Sequence, residues 1–133
     1  MKDMINLVLV IVVGVVAIKW YTSRSAAPRN SEVKTLTAAE AKVQLDADED
    51  IVLMDVRTRE EYAEGHIPGA VCIPNETIVA GAELPFGKDV KLFLYCRSGR
   101  RSADAANKLA AMGYTDITNF GGIIDWPYEV VTE

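Results

Sequence analysis

The sequence predicts an α/β domain on a largely parallel sheet, preceded by a separate apolar segment. Three observations predict it. From residue 32 onward, short apolar runs of strand type alternate with stretches of helical spacing. Residues 32–130 are enough for one core and too few for two. The run from Val90 to Tyr95 stops abruptly at a Gly/Arg-rich loop that opens a helical pattern, a junction typical of such sheets.

The amino-terminal segment comes first. Leu7 to Ile18 is apolar apart from Gly14, and Asn6 and Lys19 extend the membrane-compatible stretch from Met4 to Tyr21. A spanning helix wants about 20 apolar residues, whereas a secretory signal needs only about 7 to 15 before a small-residue cleavage site. Ser25-Ala26-Ala27 could form that site, but Pro28 would follow the cut, and Trp20-Tyr21 beside Lys19 has the character of an interfacial anchor. The reading is therefore a transmembrane anchor or signal segment over 1–21, with an uncleaved anchor favoured. Lys19, Arg24 and Arg29 follow the stretch, while only Lys2, next to Asp3, precedes it. By the positive-inside rule this single-pass anchor sits in the cell (inner) membrane with its domain on the cytoplasmic side. Signal-type insertion would make the domain periplasmic or secreted. Residues 22–31, rich in Ser, Ala, Pro and Arg, read as a linker.

Thr37-Ala38-Ala39-Glu40 has capping-box spacing and opens a helix expected to bury Ala41, Val43 and Leu45 unevenly. Ile51 to Asp55 reads as a buried strand. Glu60 to Glu64 is a brief helix stopped by Gly65, and Ala70 to Ile73 is the next strand. Asn75 is expected to cap a short helix through Ala80, and Glu83 to Lys88 is a loop. The strand Val90 to Tyr95 leads to a helix over Ser102–Met112, with Ala105, Leu109 and Met112 on its core face. Gly113 then supplies the left-handed position after that helix. Asp116 to Asn119 is expected to be an edge strand, and Gly121-Gly122 leads into a last helical turn around Trp126.

The loop Cys96-Arg97-Ser98-Gly99-Arg100-Arg101 carries the chemistry. Unpartnered N–H groups and the helix dipole make a helix N-terminus a cup for anions. A free cysteine has a pKa of about 8.5, which such a terminus and neighbouring arginines lower. Cys96 is thus expected to be an activated nucleophile. Arginine would be an odd neighbour for a merely buried cysteine, because its charge cannot be shed. Cys72, in Val71-Cys72-Ile73 with no charge beside it, is expected in the core. Two cysteines make no disulfide framework, and one is wanted as a thiol.

From Asn30 onward, 18 acidic side chains stand against 10 basic ones, a net of −8. Nucleic acid is excluded as a partner on that balance. Arg97, Arg100 and Arg101 then form a local basic spot, suited to a small anionic substrate. Ligands of parallel sheets bind beyond the carboxyl ends of the strands, so Asp55 and Arg57 should share a rim with Cys96 and support it. His66 reads as a structural histidine in a turn.

Together, Asp55-Val56-Arg57, Glu61-Tyr62, Gly65-His66-Ile67-Pro68-Gly69-Ala70, the Cys96–Ser102 loop, Gly121-Gly122 and Trp126 resemble a single-domain rhodanese, from about Glu32 to Tyr128. The resemblance implies a five-stranded parallel sheet flanked by helices over residues 32–130. It also implies a thiosulfate sulfurtransferase that moves sulfane sulfur through a Cys96 persulfide to cyanide or a thiol acceptor such as thioredoxin. Family loops of the C-R-x-G-x-R kind are associated with thiosulfate. The implied cradle is Arg97, Ser98, Gly99, Arg100 and Arg101, with Arg101 on the sulfonate and Asp55 and Arg57 bracing. Neither metal nor organic cofactor is implied. A cysteine phosphatase or arsenate reductase would need C-x5-R, placing arginine where Ser102 stands. A membrane-tethered persulfide carrier or sulfur sensor with little turnover is the alternative from another class.

Overall fold

The computed structural model describes residues 32–133. The segment read as an anchor or signal, and the linker after it, lie outside the described residues. No helix among the described residues is long and apolar enough to cross a membrane.

Five parallel strands form one sheet in the order β1-β5-β4-β2-β3. They are β1 (Lys34–Thr35), β2 (Val52–Asp55), β3 (Val71–Cys72), β4 (Lys91–Cys96) and β5 (Asp116–Gly122). Among the described residues three α-helices accompany them: α1 (Ala38–Ala47), α2 (Arg59–Glu64) and α3 (Arg100–Ala111). This is the five-stranded α/β arrangement that the sequence implies.

Both short helices begin where capping boxes place them. The Thr37 hydroxyl accepts from the Glu40 amide while the Glu40 carboxylate accepts from the Thr37 amide, and Thr58 and Glu61 repeat the exchange. The burial expected for α1 is corrected in part, because Ala41 is buried and Leu45 half-buried but Val43 is 69% exposed. A helix that approaches a sheet through alanine needs little else on its face. The helix expected from Asn75 to Ala80 is a single 3-10 turn over Asn75–Thr77, preceded by Pro74. β5 is an interior strand rather than the expected edge, because the two-residue β1 pairs outside it through Lys34↔Thr118 and Thr35↔Asn119. A pair of exposed residues has no hydrophobic pattern to announce it.

Strand alternation divides the core. Leu92, Leu94 and Cys96 point to the face covered by α3, where they join Met54, Val56, Ala105 and Leu109. Phe93 and Tyr95 point the other way, to Ala41, Leu53, Phe120 and Trp126. Cys72 sits on the outermost strand, β3, and is half-buried rather than core.

On the second face a buried polar cluster replaces hydrophobic packing. Arg57 donates through Nε and Nη2 to both oxygens of Asp55, the shortest contact being 2.6 Å, and Tyr95 donates its hydroxyl to Asp55 Oδ2 at 2.8 Å. Arg57 Nη2 also donates to the Gly65 carbonyl at 2.6 Å, and the Ile67 amide donates to Tyr95. Burial and the Asp55 charge push the Tyr95 phenol up, so it stays a neutral donor. Asp55→Ala would leave the Arg57 charge and the Tyr95 hydroxyl buried without their partner. The expected loss is about 3–5 kcal/mol of stability, measured by urea unfolding.

Candidate active site

The catalytic geometry starts from a defect in the sheet. Leu94 pairs with Asn119, yet Cys96 pairs with Gly122, so β5 uses one more residue than β4 over that interval. This bulge puts Gly121 in the left-handed region, at φ +95°, and brings Gly122 against the chain leaving Cys96. The Ile124 amide then donates to the Arg97 carbonyl at 3.3 Å, tying the loop to the segment after β5.

On the other side Gly99 caps α3 at φ +102° with no side-chain cap. No side chain therefore takes the first amides of the helix, which are left to the sulfur and to a ligand. Cys96 ends β4 at the bottom of this cup, with only 1% of its surface exposed. The Gly99 amide donates to Cys96 Sγ at 3.0 Å, and the Ser102 hydroxyl lies 3.5 Å from the same sulfur.

Burial pushes the Cys96 thiol up, but hydrogen bonds from the Ser102 hydroxyl and from the Ser102, Gly99 and Ser98 amides outweigh it, leaving the thiol below the ordinary range. The amides and hydroxyl do the work that the sequence reading shared with the arginines. Cys72 behaves oppositely, since burial and the Asp55 charge raise it. At neutral pH iodoacetamide should modify Cys96 well before Cys72, as peptide mapping after limited alkylation would show. Equal rates would contradict the assigned environments.

The arginines divide. Arg97 and Arg100 are exposed. Arg101 is part-buried and bound end-on to Glu61, with Nη1 to Oε1 at 2.7 Å and Nη2 to Oε2 at 3.0 Å. Its guanidinium, expected on the substrate sulfonate, thus already holds a carboxylate. That pair, with added bonds from Thr58, holds Glu61 well down, at about 2, against the cost of its burial. A lowered carboxylate stabilises the fold above its unfolded value of 4.5, and this contribution fades as pH falls toward about 2. The latch is therefore intact across the neutral range.

Asp55 and Arg57 share the rim with Cys96 but belong to the opposite face, and they reach its loop through Tyr95, the residue before it. His66 is buried, its Nδ1 2.8 Å from the Tyr62 carbonyl and its ring stacked on Tyr62. It acts as the structural histidine the sequence suggests. Sequence reasoning missed Glu61, Ser102 and Asn119 as members of the site. Position 102, where a phosphatase loop would carry arginine, instead turns a hydroxyl inward to the sulfur. Beside the cup an open cleft of about 570 Å³ is walled by Arg97, Ile124 and Val130, facing Glu61 and Glu64.

A buried thiol held low by loop amides at the carboxyl edge of a five-stranded parallel sheet is the site of a thiolate enzyme that takes an anionic substrate. Residues 37–127 match the model of the rhodanese-like domain, and the chain belongs to that family. It is 44% identical over 80 residues to a sulfurtransferase of Allochromatium vinosum, covering 59% of this chain and 73% of that one. The thiosulfate sulfurtransferase PspE of Escherichia coli is 39% identical over 75 residues, covering 54% of this chain and 70% of PspE. Among solved structures, a rhodanese-like domain protein of Staphylococcus aureus superposes with a TM-score of 0.64 at 33% identity, covering 75% of this chain and 98% of that one.

Proposed function

We propose that this chain is a thiosulfate sulfurtransferase that carries sulfane sulfur on Cys96 and passes it to cyanide or to a thiol acceptor. The observation that carries this reading is the convergence of the Gly99 amide and the Ser102 hydroxyl on one acidified sulfur. The Cys96 thiolate attacks the outer sulfur of thiosulfate, the S–S bond of the donor breaks, and sulfite leaves with the electron pair. The loop amides then stabilise the persulfide anion as they stabilised the thiolate, so one preorganised site serves both half-reactions. An acceptor thiolate attacks the outer sulfur of the persulfide, leaves as its own persulfide, and returns Cys96 to the thiolate.

The name of the PspE relative supports thiosulfate as donor, as does the C-R-x-G-x-R loop. Arg97 and Arg100 meet the incoming dianion, and Arg101 joins them only as Glu61 gives way. Thioredoxin fits the role of cellular acceptor, and we place the domain on the cytoplasmic side of an amino-terminal membrane anchor. Intact mass after thiosulfate treatment tests the chemistry. A gain of one sulfur atom with sulfite released, reversed by cyanide with thiocyanate formed, is the expected result. Absence of both the added sulfur and the sulfite would overturn it, while a persulfide that forms but does not transfer would favour the carrier reading.

Glu61 offers a second test. Glu61→Gln keeps the capping partner of Thr58, because glutamine serves that position equally, and removes the charge that occupies Arg101. The KM for thiosulfate should fall severalfold with kcat changed little, as steady-state sulfite release would show. A rise in KM would mean that Glu61 holds Arg101 in its productive place.

A further inference from the structure

The Ser102 hydroxyl is fully buried and carries one proton, yet four acceptors surround it. Asn119 Oδ1 lies at 2.8 Å, the Gly99 carbonyl at 3.0 Å, the Gly121 carbonyl at 3.4 Å and Cys96 Sγ at 3.5 Å. While Cys96 is a neutral thiol the contest is one-sided, because thiol sulfur is a weak acceptor and the amide carbonyl is closest. Charge on the sulfur reverses it. Hydrogen bonds to ionised acceptors are roughly twice as strong as neutral ones, and the hydroxyl needs only to rotate its O–H bond to change partner.

Asn119 is placed to allow that change. Its Oδ1 also accepts the Gly121 amide at 3.0 Å, so it is not left unpaired when the Ser102 proton departs. The two donors also fix the amide orientation, since turning the side chain over would set its NH2 against the Gly121 N–H. The Gly99 carbonyl, the next acceptor, keeps the Ala103 amide at 3.1 Å. No heavy atom has to move, and the two nearest carbonyls each keep a donor.

We propose that Asn119 is a positioning residue for sulfur transfer, whose side-chain carbonyl holds the Ser102 proton while Cys96 is neutral and yields it when the sulfur becomes an anion. The inference rests on Cys96 as the reacting thiol. The loop amides, Gly99 foremost, are then the constant donors of the cup and the Ser102 hydroxyl the conditional one. The thiolate gains a bond that the neutral thiol does not compete for.

The test is the pH dependence of Cys96 alkylation by iodoacetamide in the full-length protein, with thiosulfate loading followed by intact mass in parallel. The variants are Asn119→Ala, Asn119→Asp, Ser102→Ala and the doubles Asn119→Ala/Ser102→Ala and Asn119→Asp/Ser102→Ala. Asn119→Ala removes the strongest competitor for the proton, so the midpoint should move down. Asn119→Asp, a stronger and charged competitor that still accepts from Gly121, should move it up by about one pH unit. Ser102→Ala should also move it up, and Asn119→Ala should then have no further effect. An equal Asn119→Ala shift in both backgrounds, an upward shift, or none at all would overturn the proposal. Should Asn119→Ala fail to fold, Asn119→Asp set against Asn119→Asp/Ser102→Ala answers the same question, because like-charge repulsion acts in both backgrounds and only the competition for the proton needs Ser102. Loss of thiosulfate loading in the wild type, with these shifts intact, would overturn the donor and leave the proton exchange standing.

Discussion

Cys96→Ser is expected to abolish persulfide formation and lower sulfite release by about four orders of magnitude or more, to the background of the assay. The size of the effect follows from the chemistry. A serine hydroxyl in the same cup is not ionised near neutral pH, and the site supplies no base to take its proton. His66, the sole histidine, is spent on the Tyr62 carbonyl and the Tyr62 ring. The remaining donors of the loop would still bind an anion, so thiosulfate affinity should survive where turnover does not. Intact mass of the variant after thiosulfate treatment, beside wild type, checks both halves. Sulfur gained by Cys96→Ser would point to Cys72, the other thiol, and would sink the assignment.

The nucleophile was legible in the sequence because two patterns change at one residue. An apolar strand ends, and glycine and arginine take over. The partners of that nucleophile were not legible. Glu61 meets Arg101 across 40 positions, a separation over which no periodicity speaks. Ser102 at a helix start and Asn119 in a strand are unremarkable as letters, and they matter only because the bulge at Gly121 folds β5 back over the loop. The Asp55–Arg57 pair shows a subtler gap. Its position on the rim could be read from the strand end, but a side chain one register away points to the opposite face. Cys96 accordingly faces α3 while Tyr95, bonded to Asp55, faces α1.

The expected edge position of β5 failed for a related reason. Whether a strand is interior depends on its neighbours, and β1 has only two residues, both exposed. Nothing in Lys34-Thr35 distinguishes a strand from the loop on either side until Thr118 and Asn119 supply its partners. The capping box at Thr37 shows the converse, since both its bonds close within four residues. Local chemistry was readable and long-range pairing was not.

Gly122→Ala should cost activity by about a hundredfold or more while leaving the fold in place. The backbone at Gly122 is extended, φ −133° and ψ 154°, so alanine meets no conformational penalty there. The obstacle is the neighbouring chain. A Cβ at this position would overlap the Arg97 carbonyl and press on the Cα of Ser98, 2.6 Å away, and both are backbone atoms with no rotamer to yield. Relief requires the segment after Cys96 to move outward, and that segment carries the amides at Ser98 and Gly99 that hold the thiol acidic. A misplacement of about 1 Å is enough for a loss of that size. The loss should carry a signature that simple unfolding would not, namely a Cys96 alkylation midpoint moved upward with urea unfolding still cooperative. Full activity in Gly122→Ala would mean that the loop and β5 are held apart in solution, and that the close approach of the two chains does not shape the cup.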